Sequence, residues 1–458
     1  MGIFGALTTA VTGMRAQAFA LENISGNIAN SQTIAFKRED TSFVDLIPDD
    51  NPNQQLAGNV VANSRSTNTV QGDIQNASIG TFMAINGNGY FVVEKPTGFT
   101  GNTPTFGGTD LYSRRGDFNT DRNGFLVNGA GYYLKGIPID PTTGNLTGSV
   151  PTLLQFSNSF LPAQPTTTLQ YQANLPAYPL TPNHDTTVAQ SELLQPANYP
   201  GADPTVAGTG TVVGSDVPRF LGDSISGGAI TAYDATGTAV NLQLRWAKTQ
   251  SSLYGGTDTW NLFYQTDSTA TGATVAWVNV GTDYTFGANG QMSPSVPTVN
   301  LTGVSVDGVS LGNVTLQHGT GGLTQFADNS GTVQVNVLQQ DGFPAGSLQS
   351  VSVNDKGRVV GTYSNSRTID LAAVTLATFN GPNNLKRLDG GAFSETSDSG
   401  PPNYNSTAKI VGSSLESSNS DIGDEFTKLI VTQQAYSANT RVITTSNQMV
   451  QDLLNTLR

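Results

Sequence analysis

The sequence predicts a mainly β protein with a terminal α-helical coiled coil, in which nested β domains are inserted between paired N- and C-terminal helices. Residues 415–458 carry an apolar residue at every seventh position, and residues 4–28 follow alternating spacings of three and four. Both patterns are typical of helices that pack against other helices. Between the two ends, alternating apolar residues and turns rich in Gly and Asn indicate many short strands.

The N-terminal helix is predicted over residues 4–30. Its stripe is apolar except at one serine, and consists of Phe4, Leu7, Val11, Met14, Ala18, Leu21, Ser25 and Ile28. At about 1.5 Å per residue, such a helix is roughly 40 Å long.

The C-terminal helix is predicted from an unbroken heptad register that consists of Leu415, Ile422, Leu429, Tyr436, Ile443, Val450 and Leu457. A second seam begins at Phe426 and becomes polar at Gln433, Thr440 and Asn447. Further apolar residues flank both seams. A helix with one partner needs a single apolar stripe, so this broad distribution predicts packing on several sides.

Two such ends can bind each other and also the ends of neighbouring copies. We therefore assign 1–30 and 410–458 to one helical coiled-coil domain that assembles between subunits. The predicted inter-subunit helical contacts are Leu7, Val11, Met14, Leu21, Ile28, Leu415, Ile422, Phe426, Leu429, Tyr436, Ile443, Val450 and Leu457. Glu425 and Lys428 are interpreted as solvated or interhelical charges of small energetic value.

Next to the helices, residues 31–74 are polar and irregular, and residues 386–409 are rich in Gly, Ser and Pro. Both segments are predicted to be extended linkers. Residues 75–150 and 341–385 are predicted to form an inner β domain.

Turn motifs within the inner domain predict hairpins at 86–89, 121–124 and 354–357, each between apolar segments. Residues 151–340 are predicted to form an outer inserted β domain of one or two subdomains. Near the start of this outer domain, residues 160–220 are rich in Pro, Thr and Asn and are predicted to form a long excursion over the surface.

Composition excludes several classes of function. The net charge is −13 without a basic cluster, which excludes a nucleic-acid partner and an anionic membrane surface. The absence of cysteine excludes disulfides, thiol catalysis and Cys-based zinc sites. No run of 18 apolar residues predicts a membrane span. No basic n-region precedes the first apolar stretch, so export without a cleaved signal peptide is expected.

Candidate chemical sites are weak, and we expect no catalytic, cofactor or metal site. The G-x-G at 87–89 is followed by a predicted strand, whereas a dinucleotide-binding site needs a helix at that point. The Asx-rich segment 119–124 lacks the acidic twelfth residue of a calcium loop, which would fall at Ala130. His184 and His318 lie far apart beside turn residues, and are interpreted as solvated loop histidines.

Three tryptophans leave one binding alternative open, a glycan-binding face. Trp246 and Trp260 lie on alternating strands, where tryptophan is usually part of the core, and the third is Trp277. The core interpretation is favoured.

Four segments in order resemble the bacterial flagellar axial proteins of the rod and hook. The N-terminal signature comprises Asn27, Ile28, Ala29, Asn30, Phe36 and Lys37, with Gly26 and Ala35 where the family usually has Asn and Gly. The remaining three segments are 83–93 (MAINGNGYFVV), 112–136 and 415–458, the last beginning LESSNSDIGDEFTKLIVTQQAYSAN.

The resemblance implies a structural subunit, not an enzyme, that polymerises into a tube at the cell exterior. Such a tube joins rod to filament, transmits torque as a flexible joint and encloses the export channel. Implied partners are further copies of the chain, the flagellar rod, the hook cap, the hook–filament junction proteins and the type III export apparatus, with no membrane insertion. Because isolated helices of this kind gain most of their stability from packing, we also predict that both ends are largely disordered in the monomer and order on polymerisation, whereas 75–385 stays folded.

Within the family, the large insertion at 151–340 favours the hook over the distal rod. The alternatives are a distal rod subunit, an extracellular β-rich adhesin and an enzyme. An adhesin should carry a signal peptide, and an enzyme should show converging polar residues.

Overall fold

A computed structural model describes residues 3–46, 59–141, 143–156, 160–206 and 210–456. It divides the chain into two compact units. The terminal unit comprises Met1–Ser159 and Leu348–Arg458, and the inserted unit comprises Phe160–Ser347. The prediction of a mainly β protein with a long helix near each end is confirmed.

Three α-helices are described: α1 (Ile3–Ala29), α2 (Val217–Gly222) and α3 (Ile422–Thr456). The strands that precede the inserted unit are β1 (Glu39–Leu46), β2 (Asn59–Ser66), β3 (Ile74–Asn76), β4 (Met83–Asn86), β5 (Tyr90–Glu94), β6 (Pro96–Thr100), β7 (Thr103–Phe106), β8 (Leu111–Ser113), β9 (Phe118–Thr120), β10 (Leu126–Asn128), β11 (Tyr133–Pro138) and β12 (Thr152–Leu153).

The inserted unit contains β13 (Thr168–Asn174), β14 (Thr211–Val213), β15 (Ile225–Tyr233), β16 (Ala239–Gln250), β17 (Asp258–Gln265), β18 (Val275–Phe286), β19 (Thr298–Val306), β20 (Val309–Gln317), β21 (Leu323–Thr324) and β22 (Gln334–Gln340). The terminal unit resumes with β23 (Leu348–Val353), β24 (Arg358–Tyr363), β25 (Thr368–Val374), β26 (Leu376–Ala377), β27 (Lys386–Leu388), β28 (Ala392–Ser394), β29 (Lys409–Gly412) and β30 (Ser414–Glu416).

The C-terminal helix begins later than the heptad register predicts. Leu415 lies in β30, opposite Gln75 of β3, so its prediction as a helical contact is wrong. The helical assignment of 410–421 fails for the same reason, because β29 and β30 satisfy their backbone hydrogen bonds in sheets. The Asp421 carboxylate accepts a hydrogen bond from the Asp424 amide at 3.0 Å and thereby starts α3. Leu457 lies outside the described residues.

The two segments predicted as extended linkers contain paired strands. β1 and β2 form an antiparallel two-stranded sheet, in register from the Glu39–Ser66 pair to the Leu46–Asn59 pair. β27 and β28 pair with each other, and β28 also joins β8 of the large sheet. Polar composition misled the prediction, because backbone pairing needs no apolar side chains.

A twelve-stranded sheet forms the centre of the terminal unit as described, with β11 and β5 near its middle. The hairpins predicted at 121–124 and 354–357 are confirmed by the pairing of β9 with β10 and of β23 with β24. The hairpin predicted at 86–89 is wrong. β4 pairs with β29 and β5 pairs with β8, β11 and β26, so the turn joins strands of different sheets.

The turn at 121–124 uses its carboxylate internally. Asp121 Oδ1 accepts hydrogen bonds from the amides of Asn123 and Phe125 at 2.9 and 2.8 Å. These bonds explain the Asx-rich motif as turn chemistry.

Two five-stranded sheets build the inserted unit, and their shared core contains Trp246 and Trp260, both fully buried. Trp277 is 2% exposed in a neighbouring cluster, so the core interpretation of the tryptophans is confirmed. The predicted surface excursion over 160–220 is wrong in part. It contains β13, which is paired on both edges and buries Leu169 and Tyr171.

His318 corrects a further interpretation, because it is fully buried. Its Nδ1 lies 2.9 Å from the carbonyl oxygen of Tyr171, so Nδ1–H is the donor. Its Nε2 lies 3.0 Å from the Tyr284 hydroxyl and accepts from it. The neutral imidazole with its proton on Nδ1 satisfies both contacts, and burial favours this form because it lowers the pKa of His318 below its usual range. His184, in contrast, lies in a loop as expected, although it is half-buried there.

We expect the inserted unit to lose stability as the pH falls through about 6.5, the ordinary His pKa. Below that pH the unfolded chain binds a proton that the folded unit rejects, so stability falls, by at most about 1.4 kcal/mol per pH unit. Urea unfolding between pH 7.5 and 5.5, followed by tryptophan fluorescence, measures this unit alone because all three tryptophans lie in it.

The control for this measurement is His318→Asn, which retains an amide donor and removes the titration. The variant should be less stable than the wild type at pH 7.5 and should lack the wild-type pH slope. His184 is present in both proteins, so its contribution cancels. Equal slopes in the two proteins would contradict the assignment.

Candidate assembly site

The two terminal helices pack against each other in antiparallel orientation. Asn27, near the end of α1, bonds to Glu425 near the start of α3. Gly13, earlier in α1, lies against Asn439, later in α3, where an added Cβ would stand 3.1 Å from Asn439 Nδ2. Glycine at this position allows the helices to approach closely.

The fully buried residues of the two helices are mostly small or polar. The residues of α1 and α3 that are buried within the single chain are Ala10, Ala16, Ala20, Ile24, Asn27, Glu425, Thr432 and Ser446. Few large apolar side chains are among them. The intramolecular contact therefore buries little apolar area, and helix stability depends mostly on such burial.

The predicted apolar seams are only partly covered within the single chain, and one member, Met14, touches α3, where Thr440 Oγ1 lies 3.8 Å from its Sδ. Half-buried members are Leu7, Val11, Met14, Leu21, Ile28, Leu429, Ile443 and Val450, whereas Ile422, Phe426 and Tyr436 are exposed. The other exposed large apolar residues of α3 are Ile430, Val431, Val442, Met449, Leu453 and Leu454. Apolar surface of this extent on one helix marks an interaction site.

Asn27 joins three elements where the helices end. Its Nδ2 donates to the carbonyl oxygen of Glu39 at 2.9 Å and to Glu425 Oε2 at 3.0 Å. Its Oδ1 accepts from the Glu39 amide at 2.9 Å. The side chain is 2% exposed and uses both N–H groups and its oxygen. Asn27 of the N-terminal signature thus connects α1, β1 and α3.

Of the two settings predicted for Glu425, solvated or interhelical, the structure shows the interhelical one, because Glu425 is fully buried and bonds to Asn27 of α1. Lys428 Nζ lies 2.7 Å from its Oε1, and Asn27 occupies the other oxygen. Lys428 is 41% exposed, so the buried carboxylate is compensated by a cation that reaches solvent. Its position in the first turn of α3 also suits a negative charge.

A second buried network, the Glu416 cluster, consists of Lys37, Gly72, Arg114 and Glu416. Glu416 Oε1 accepts from Lys37 Nζ at 2.5 Å and from the Gly72 amide at 2.9 Å. Glu416 Oε2 accepts from Arg114 Nε at 2.8 Å. The three charged side chains are at most 3% exposed. The cluster joins four distant chain segments at the base of the helix pair.

The remaining donors of the Glu416 cluster are also used. Lys37 donates to the carbonyl oxygen of Val70 at 2.6 Å, and Arg114 donates to the carbonyl oxygens of Ile85, Gly87 and Gly89, each at 3.0 Å. Burial lowers the pKa of Lys37 to about 8, while the charge of Glu416 opposes that shift.

Ala35 adopts the left-handed conformation that a glycine at this position would adopt readily. Its φ is 54°, and its amide donates to the carbonyl oxygen of Glu416 at 2.9 Å. That conformation costs a residue with a Cβ about 1–2 kcal/mol. Phe36 follows, with the Arg387 guanidinium 5.0 Å from the centre of its ring.

Sequence reasoning missed Glu416, Arg114 and Arg387. Glu416 and Arg114 are separated by 302 positions, so no local spacing pairs them. The only local signal was their presence inside two of the segments that resemble the axial proteins.

Comparison with known proteins identifies the family. The model of the flagellar hook protein FlgE/F/G D1 domain matches residues 84–152, and that of the flagellar basal body protein FlaE D2 domain matches 226–343. The model of the flagellar basal body rod FlgEFG protein C-terminal region matches 411–456. The chain is 29% identical over 468 residues to flagellar hook protein FlgE of Brucella suis, with 100% of both chains covered. The chain belongs to the flagellar hook protein family.

A second hook protein FlgE, from Salmonella typhimurium, is 28% identical over 455 residues, covering 97% of this chain and 98% of that one. A solved structure, Helicobacter pylori flagellar hook protein FlgE2, covers 75% of this chain at 14% identity with a TM-score of 0.49. The C-terminal family model covers the end of β29 together with β30 and α3, and thus includes Glu416 and Glu425.

The family is one of structural proteins. Neither long helix of the described chain has an apolar stretch sufficient to cross a membrane.

Proposed function

We propose that this chain is the structural subunit of a bacterial flagellar hook and that it polymerises through its helix pair. The observation that carries the proposal is the apolar surface that α3 leaves uncovered in the single chain. Phe426 is 48% exposed, Val431 61% and Leu454 58%. Water-exposed apolar surface on one helix is stabilised by neighbouring helices, and identical copies supply them.

The exposed apolar residues lie on more than one side of α3, which supports contact with several copies. Contacts between different surfaces of identical subunits generate an open helix, whereas self-complementary contacts close into a dimer. An open helical assembly around the terminal helices gives a tube. We propose that this tube is curved and flexible, transmits torque from rod to filament and encloses the export channel.

The weak intramolecular contact supports a further part of the proposal. Because the side chains that α1 and α3 bury fully are mostly small or polar, most of the stabilisation of these helices must come from neighbouring subunits. The helices then become stable only on assembly. Partners consistent with this role are the rod, the hook cap, the hook–filament junction proteins and the type III export apparatus. Export without a cleaved signal peptide, to the cell exterior, completes the proposal.

Electron microscopy of the purified full-length protein under polymerising conditions tests the function. Short curved tubes are the expected result. Straight tubes would favour a distal rod subunit, and the absence of any polymer would overturn the proposal. The match of the D2 model to residues 226–343 supports the hook over the rod, because it lies within the large insertion.

A further inference from the structure

Of the three cations in the inserted unit, Arg245 alone lacks a carboxylate partner among the described residues. Arg219 pairs with Asp223 at 2.7 Å, and Lys248 pairs with Asp258 at 2.7 Å. The same unit contains twelve Asp and Glu residues. A cation without a carboxylate is therefore a specific feature of its surroundings, since acidic residues are plentiful in this unit.

Neutral groups hold the Arg245 side chain in place. Its Nε donates to Ser224 Oγ at 2.8 Å, and its Nη2 donates to the carbonyl oxygens of Ser224 and Leu221 at 2.8 and 3.2 Å. Its Nη1 donates no hydrogen bond within the described residues. Burial lowers the pKa of the guanidinium, and no neighbouring carboxylate opposes that shift. The side chain is thus oriented while its charge is left unbalanced, which favours an anion beside it.

Arg245 lines a groove of 420 Å³ on the inserted unit. Ser226 of β15 also lines it and lies directly opposite Arg245 of β16. The Ser226 hydroxyl accepts from the Gly228 amide at 3.4 Å and donates no hydrogen bond within the described chain. Val333 and Val335, at the start of β22, supply aliphatic surface, and Val335 is 38% exposed. The groove therefore combines a cation, a hydroxyl donor and an apolar wall.

We propose that this groove binds a single carboxylate carried by a small aliphatic group. The Nη1 of Arg245 and the Ser226 hydroxyl supply donors for the carboxylate oxygens. The valines bury the aliphatic part. The acidic excess of the unit repels more highly charged anions such as phosphate, which selects a single negative charge. Binding of this kind requires no polymer, so it is independent of the proposed function.

Titration of the full-length, unpolymerised protein with 4-methylpentanoate, followed by ligand-observed NMR, tests the site. The neutral analogue 4-methylpentanamide has nearly the same shape and should bind about tenfold more weakly or worse, because it lacks the charge that Arg245 recognises. Inorganic phosphate should not displace the carboxylate. Equal affinities of acid and amide, or tighter binding of phosphate, would overturn the assignment.

Two substitutions place the binding in this groove. Arg245→Gln should weaken 4-methylpentanoate binding by about tenfold or more. Since Arg245 also anchors Ser224 and Leu221, tryptophan fluorescence is used to check that the unit remains folded. Val335→Glu keeps those anchoring bonds and introduces a competing carboxylate into the groove, so it should also abolish binding.

The control is Val188→Glu, at a position 54% exposed and outside the groove lining, which adds the same charge to the same unit. This variant should retain wild-type affinity. Wild-type affinity in Val335→Glu, or an equal loss in both glutamate variants, would contradict binding in the groove.

The same chemistry is carried by free organic acids and by the C-terminal residue of a peptide. N-acetylleucine distinguishes these sources, because it adds a peptide amide next to the carboxylate. Tighter binding than that of 4-methylpentanoate would assign the site to a peptide C-terminus, and weaker binding would assign it to a free acid. If neither compound binds, the proposed site is wrong, whereas the proposed polymer-forming function is unaffected.

Discussion

Replacing Glu416 with alanine is expected to lower the free energy of unfolding of the terminal unit by about 3–5 kcal/mol. The carboxylate accepts from Lys37, Arg114 and the Gly72 amide, and it is fully buried. Its removal leaves two cations and one amide without their acceptor, in a place that water reaches poorly. The loss is therefore dominated by uncompensated buried charge, more than by the attraction that is removed.

The matched control is Glu39→Ala. Glu39 pairs with Arg387 at 2.7 Å, but both side chains are about one quarter exposed. Such a pair contributes about 0–1 kcal/mol, because solvent screens it and replaces it. Urea unfolding of both variants, followed by circular dichroism and compared with the tryptophan signal of the inserted unit, separates the effects. A Glu416→Ala midpoint equal to that of Glu39→Ala would show that water enters the cluster and compensates the cations.

Local spacing predicted the elements whose physics is local. The apolar residues of α1 recur with helical period, and the turn at 121–124 carries the Asp that caps it, so both were correctly placed. The same reasoning failed at Leu415. A seven-residue spacing also occurs by chance next to a helix, and the strand partner of Leu415, Gln75, lies far away in sequence.

The buried faces of the two helices gave only a weak sequence signal, for a different physical reason. Hydrophobic periodicity finds the most apolar face of a helix, and here that face is left partly uncovered. The buried faces of these helices carry Ala10, Ala20 and Thr432, which give a weak apolar signal but allow neighbouring elements to approach closely. The burial of polar residues also could not be predicted from local sequence. Glu425 and His318 are buried because of hydrogen-bond partners that only the fold brings near them.

The signature residues acquire a joint role from the structure. Asn27 fixes β1 to α1 and α3. The chain turns at Ala35, and two positions later Lys37 enters the Glu416 cluster. Through Arg114 that cluster reaches the strands and turn at 85–89. We infer that force applied to the helix pair passes into the large sheet through buried, multiply bonded groups. A torque-transmitting subunit requires such a connection.

Replacing Leu429 with aspartate is expected to abolish polymer formation and to leave the β structure of both units folded. Leu429 is half-buried on α3, beside the exposed Ile422 and Tyr436 one heptad away on either side. In the single chain the new carboxylate can turn toward water at small cost. In the polymer it would be buried among apolar side chains, at a cost of several kcal/mol per subunit. Because every subunit repeats the contact, the penalty applies to each addition.

Gln434→Asp is the control, since it introduces the same charge on the same helix at a position that is already polar and exposed. Sedimentation and electron microscopy measure polymer yield, while circular dichroism and tryptophan fluorescence report the folded units. Polymer loss in Leu429→Asp alone would place this seam between subunits. Wild-type yield from Leu429→Asp would instead confine Leu429 to the single chain, and the exposed residues of α3 away from that seam would have to hold the tube together.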